Sequence, residues 1–407
     1  MPNPSPPATP TKLTSAPAPV QLTRTGMLLA YASGAFGLSY MSMCGFLVPL
    51  RAHELGASVE EIGLLVGAGA FSAMLTAVPA GAFSDRFGSR RTFIAGAVTA
   101  LIAAAGLALA PNVALLFVLQ LVRGFPQVMG WVGAMTYVTG LGDARSRAGI
   151  AGRFSLATNI AGVASPTIIG VVAQALGIAA GFWFVALYCL AFTVVGVLMT
   201  EMHVRPAVRP TSSTGYGPAL AMLRIPAVQS IMLLSVARLA AQSGWAAFFP
   251  LFLVEHGTPA ALAGTVISVS GIASAANSTL AGRLSRTGHS HLIVGLFACS
   301  GAAAVALSPL VAGVPLAYLP ALVVGASQGV TLPLLLALLS QYTNPQQRGV
   351  AMGAREGINQ ATAMVTPVAT GIMLGAAGSI GFASGGVLVA LAVTAAAVLH
   401  RREARAA

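Results

Sequence analysis

Residues Gly81–Arg91 read GAFSDRFGSRR, and this stretch decides the fold. It packs Asp85, Arg86, Arg90 and Arg91 into seven residues of a chain in which only 7% are charged. On either side the sequence turns apolar for about twenty residues, the length that crosses ~30 Å of hydrocarbon. A short, densely basic segment between two such runs is the loop of a membrane protein, held on one side of the bilayer by its arginines.

Composition extends that reading to the whole chain. Of 407 residues, 56% are hydrophobic, the mean hydropathy is +0.84 and only nine residues are acidic. No water-soluble domain could hide that much apolar surface. The apolar runs do not alternate with polar residues, which excludes an outer-membrane barrel. They predict an all-α membrane protein with twelve transmembrane spans, near 26–49, 60–84, 92–110, 114–139, 149–173, 180–200, 227–252, 261–284, 291–311, 315–341, 350–375 and 379–399. A net charge of +12 could suggest nucleic acid, but the arginines lie scattered between apolar runs, so no nucleic-acid partner is expected. Cys44, Cys189 and Cys299 lie inside apolar segments without metal-ligand spacing and read as inert core residues.

Charge then orients the spans. One set of loops holds Arg86/Arg90/Arg91, Arg145/Arg147, Arg205/Arg209/Arg224, Arg283/Arg286, Arg348 and Arg401/Arg402/Arg405. The alternate loops, with Glu54, Glu60, Glu61 and Glu255, are acidic or uncharged. The alternation predicts a multi-pass protein of the cell inner membrane with both termini cytoplasmic. Residues 1–22, rich in Pro, Ser, Thr and Ala and lacking the core of a signal peptide, are expected to form a disordered cytoplasmic tail; 401–407 form a second tail.

The chain also repeats itself with an offset of 201 residues. Pro49, Glu54, Gln127, Arg147 and Pro166 match Pro250, Glu255, Gln328, Arg348 and Pro367 in one ungapped register. Chance does not hold prolines, glutamates, glutamines and arginines in register over some 120 positions. The halves are therefore expected at 23–200 and 226–400, joined by a cytoplasmic linker over 201–225. Two pseudosymmetric six-helix halves place a substrate near the midplane between them. The second copy of the charged loop carries Arg286 where the first has Asp85.

Gly81, Asp85, Arg86, Gly88, Arg90 and Arg91, in that order and spacing, resemble the loop between the second and third helices of major facilitator superfamily (MFS) transporters. The resemblance implies a secondary active transporter and gives those six residues a part in gating. LQLVRGFPQVMG resembles the family's fourth-helix motif through Arg123, Gln127 and Gly130, and there the arginine is associated with proton coupling. Gly152, Ala161, Ser165, Pro166 and Gly170 resemble a fifth-helix pattern of the family's exporters, with Ala161 and Ser165 in place of two glycines.

A charge inside hydrocarbon is costly, so each one is a candidate for function. Arg123 and Gln127 are one turn apart and share a face. Arg238, Gln242 and Trp245 form an i, i+4, i+7 stripe, and the register partner of Arg238 is Gly37, so that charge breaks the symmetry. Gln328 is the register partner of Gln127. Glu356, beside Arg355 and ahead of Asn359 and Gln360, is either a proton-titrating group or the partner of Arg355. The first span has no carboxylate, which with two buried arginines disfavours a strongly cationic substrate.

The chain has no GxxxxGK[ST] phosphate cradle, no His/Cys/carboxylate cluster with metal spacing and no catalytic set, so neither enzyme activity nor a cofactor is expected. The expected function is proton-coupled efflux of a small amphipathic compound, a drug or a self-made metabolite such as a siderophore. The alternative is an importer or exchanger of small organic anions clamped by Arg123 and Arg238. A non-transporting sensor or scaffold is the remote third. Partners are a small-molecule substrate, the proton as coupling ion and the lipid bilayer.

Overall fold

The computed structural model describes residues 23–141, 146–200, 225–311, 316–343 and 348–406. Twelve long helices run through them: α1 (Arg24–Glu54), α2 (Val59–Phe87), α3 (Ser89–Leu109), α4 (Val113–Thr139), α5 (Arg147–Leu176), α6 (Ile178–Leu198), α7 (Pro226–Glu255), α8 (Ala260–Ser278), α9 (Ser290–Leu307), α10 (Tyr318–Gln341), α11 (Arg348–Ala377) and α12 (Ser384–Ala406). No strand occurs among the described residues. The first-half tail at 1–22, most of the expected linker, and Arg145, Arg205, Arg209 and Arg224 lie outside them.

The repeat governs the helix bounds. α2 and α5 begin at residues 59 and 147, and 201 residues later α8 and α11 begin at 260 and 348. Packing repeats as well: α2 lies on α4 as α8 lies on α10, and α1 on α5 as α7 on α11. The halves meet where α2 packs on α11 and α5 on α8.

Two spans end differently from expectation, for local reasons. The eighth stops at Ser278 and resumes as one turn of helix at Ala281–Leu284. There the hydroxyls of Ser278 and Thr279 donate to the carbonyls of Ala275 and Ala276 (2.7 and 2.8 Å), competing with the helical ladder. The ninth becomes a 3-10 turn at Ser308–Val311, where Pro309 has no N–H to give.

Side-chain bonds fix the two faces of the bundle. Arg90, at the start of α3, donates from Nε to the carbonyl of Gly196 (3.1 Å) and from Nη2 to that of Val197, at the end of α6. Tyr137, near the end of α4, donates to the Thr200 carbonyl (3.1 Å). These ends share the face of the charged loop, hereafter the loop face. Arg51, at the end of α1, donates to the Ala110 carbonyl just past α3 (3.1 Å) and marks the far face.

Aromatic side chains fill both halves: Phe36 contacts Tyr40, Phe93 and Tyr188 in the first, and Trp245 stacks on Phe249 in the second. Large apolar residues such as Leu28, Ile102, Leu187, Leu292 and Leu391 stand outward, more than half exposed. An apolar exterior on this scale requires lipid. It also corrects one expectation. Cys44 and Cys189 are buried, but Cys299 is exposed, because an apolar span in a bilayer need not turn its cysteine inward.

Candidate functional site

The seam between the halves is tight toward the far face. A β-carbon on Gly63 would stand 2.6 Å from the Pro367 carbonyl, and one on Gly170 2.5 Å from that of Ala260. One on Gly264 would collide with the Pro166 carbonyl, so backbones touch where the fifth-span pattern supplies small residues. Thr167 hydrogen-bonds Ser268 (2.7 Å), and the Ala261 N–H donates to Gln174 (3.1 Å). At the outer end His53 of α1 lies 3.2 Å from Glu255 of α7.

Nearer the loop face, a cavity of about 380 Å³ lies between the halves, walled by α1 and α5 on one side and α7, α8 and α10 on the other. Leu38 and Ser42 of α1 and Asn159 of α5 face Gln242 and Trp245 of α7, Ser274 of α8 and Gln328 of α10. No ionisable side chain lines it among the described residues. Of the stripe read in the sequence, Gln242 and Trp245 line the cavity, as does Gln328 of the same half, while Arg238 does not.

Arg238 stands behind that wall. It is 9% exposed; its Nη1 donates to Gln328 Oε1, and Gln328 returns its Nε2 to the Arg238 carbonyl (2.9 Å). Both ends of one amide therefore hold one arginine. Its Nε has no partner, and Arg355 and Glu356 act on it electrostatically. Arg123, 8% exposed, is held in the other half: Nε donates to Gln120 Oε1 (2.6 Å) and Nη1 to Gln127 Oε1 (3.4 Å). Gln120 in turn donates to the Leu65 carbonyl of α2 (3.2 Å), and Gly69 leaves room for the guanidinium. The register partners Gln127 and Gln328 thus each carry a buried arginine, one from its own helix and one from α7.

Glu356 is largely exposed on α11. Asn359 Nδ2 and Gln360 Nε2 donate to it at 3.4 and 3.5 Å, and Arg355 Nη2 is 3.9 Å away. Arg355 is itself buried, with Nε and Nη1 unpartnered.

In the charged loop, Gly88 joins α2 to α3 with φ +89°, ψ 153°, a conformation open to glycine alone. Arg90 caps α6, a cation at a helix C-terminus. The Arg86 guanidinium lies 5.2 Å from the Phe87 ring. Asp85 is exposed and makes no hydrogen bond or ion pair among the described residues, and a β-carbon on Gly81 would meet nothing within 4 Å. The structure therefore separates the six loop residues, the Arg123 cluster and the Arg238 cluster into three places. Sequence reasoning missed Asn159 and Gln120, each an amide in an apolar span; Asn159 shares its register position with Gln360.

A model of the Major Facilitator Superfamily matches residues 28–319. No curated protein matches the chain. Among solved structures, a bacterial homolog of the human lysosomal transporter Spinster, inward-facing and occupied, superposes with a TM-score of 0.77 at 14% identity, covering 94% of this chain and 98% of that one. The nucleoside transporter NupG gives 0.74 at 14% identity over 93% and 98%, and the peptide transporter POT in complex with sulfate 0.73 at 12% over 94% and 94%.

Proposed function

The chain belongs to the Major Facilitator Superfamily of membrane transporters, and we propose that it is a proton-coupled exporter of a small amphipathic compound, a drug or a self-made metabolite. One observation carries the reading. The cavity between the halves is shut toward the far face, reaches toward the loop face, and mixes uncharged polar with apolar side chains. The arginines on the loop face belong in the cytoplasm by the positive-inside rule. Both termini then lie inside, the membrane is the inner one, and the described state loads from the cytoplasm. Rocking the halves would part the α2–α11 and α5–α8 seams and release cargo outward.

Glu356 is the best-placed proton carrier. Among the described residues it is the one carboxylate more than a turn from the end of a membrane helix. An ionisable group at such depth is a functional site by default. Arg123, held by Gln127 on its own helix and bridged by Gln120 to α2, is placed to pass a change in the first half between helices. Protein reconstituted in vesicles with an internal pH-sensitive dye tests this. An exported compound from an amphipathic panel should dissipate an imposed pH gradient, and Glu356→Gln should still bind it without moving protons. Equal rates with the gradient collapsed, or in Glu356→Gln, would contradict proton coupling.

The anion reading keeps one specific support: Arg238 Nε and Arg355 Nε and Nη1 are buried donors without partners. Counterflow of small organic carboxylates that Arg238→Ala abolishes would favour it.

A further inference from the structure

Two carboxamides on the cavity wall have no hydrogen-bond partner among the described residues, and they come from opposite halves. Asn159 on α5 and Gln242 on α7 face the cavity, and neither carboxamide makes a hydrogen bond among the described residues. Trp245, one turn beyond Gln242 and 2% exposed, lines the same wall, but its unpaired indole Nε1 is buried and is not presented to the cavity. The third amide on the wall, Gln328, is different: both its ends are committed to Arg238. The wall thus offers two free carboxamides, each with two donors and an acceptor, beside the hydroxyls of Ser42, Ser270 and Ser274.

These groups discriminate among ligand chemistries. A carboxylate or ammonium entering the cavity would lose hydration and meet no opposite charge on its wall. A purely apolar compound would leave both amides without partners. A ligand with a donor and an acceptor side by side would replace water by bonds of the same kind, and Leu38, Val163, Ile267 and Leu332 supply an apolar surface beside them. We propose that the cavity selects a neutral compound with an amide-type edge (an amide, lactam or urea) on an apolar body. Asn159 and Gln242 are its specificity-determining residues, one from each half. The proposal rests on the reading of this cavity as the transport site, and it narrows the amphipathic cargo to one chemical class. A ligand gripped from both halves also ties them together as they move.

A matched series tests it on the full-length protein in nanodiscs: N-acetyl-tryptophanamide (neutral), N-acetyl-tryptophan (anionic) and tryptophanamide (cationic), by calorimetric titration. The neutral amide should bind at least about tenfold tighter than either ion, as expected where a hydrogen-bonding site rejects a mismatched group. Asn159→Leu and Gln242→Leu should each lose that binding while keeping the parent's gel-filtration profile and Tm. Gln242→Glu should shift preference to the cationic member, a gain that misfolding cannot produce. Stronger binding of N-acetyl-tryptophan, unchanged affinity in both Leu variants, or no binding of the neutral amide up to its solubility would overturn the proposal. None of these outcomes touches the transport reading, which stands or falls on the pH-gradient assay.

Discussion

Each half buries an arginine against the same register position, Gln127 in the first and Gln328 in the second. Both charges were legible in the sequence, because an arginine in an apolar span has to be answered by something. What answers Arg238 was not legible, since Gln328 lies ninety positions away and only the packing of α7 on α10 brings it near. Gln328→Leu should strip the guanidinium of its acceptor and cost about 1–3 kcal/mol. Thermal unfolding in detergent should show a lowered Tm and, because Gln328 lines the cavity, weaker ligand binding; an unchanged Tm would mean that Arg238 finds another acceptor. Asp85 poses the opposite case: it has no partner in the described state, which fits a residue that engages only when the loop face closes. Asp85→Asn should therefore abolish transport in vesicles with membrane insertion intact. Parent-like rates in that variant would remove Asp85 from the gate.

Helices carry the fold's most legible information. The 201-residue offset places the starts of α8 and α11 because a duplicated half repeats its turn residues and its small-residue contacts along with its apolar runs. The same sequence hides which face of each helix meets the other half. A membrane helix is apolar all round, so no amphipathic stripe points inward, and Asn159 escaped notice for that reason. The break after Ser278 and the exposure of Cys299 belong to the same blind spot. Small residues are the better guide: Pro166, Gly170 and Gly264 mark where α5 and α8 touch. A valine at Gly264 would overpack this contact at ~1–3 kcal/mol, enough to shift a balanced equilibrium about tenfold toward a far face that stays open. Thr167→Cys in that background should react faster with a membrane-impermeant maleimide added from the far side. Equal reactivity with and without Gly264→Val would show that this contact does not hold the face shut.

The molecule as a whole separates its charges by task. Arginines gather mainly at the loop face, Arg123, Arg238 and Arg355 are buried among the helices, and none lines the cavity. Such a design moves cargo by exposing one site to each side in turn, and the closed far face is its checkable feature. His53 and Glu255, 3.2 Å apart across the halves, mark the outer end of that closure. In a background with Cys44, Cys189 and Cys299 replaced by serine, His53→Cys and Glu255→Cys joined by a short reducible bis-thiosulfonate cross-linker should fix the far face shut. Counterflow in vesicles then measures alternating access directly. Cross-linked protein should bind ligand from the loop face yet move none, with transport restored on reduction of the linker; full transport through the cross-linked protein would contradict alternating access between these halves.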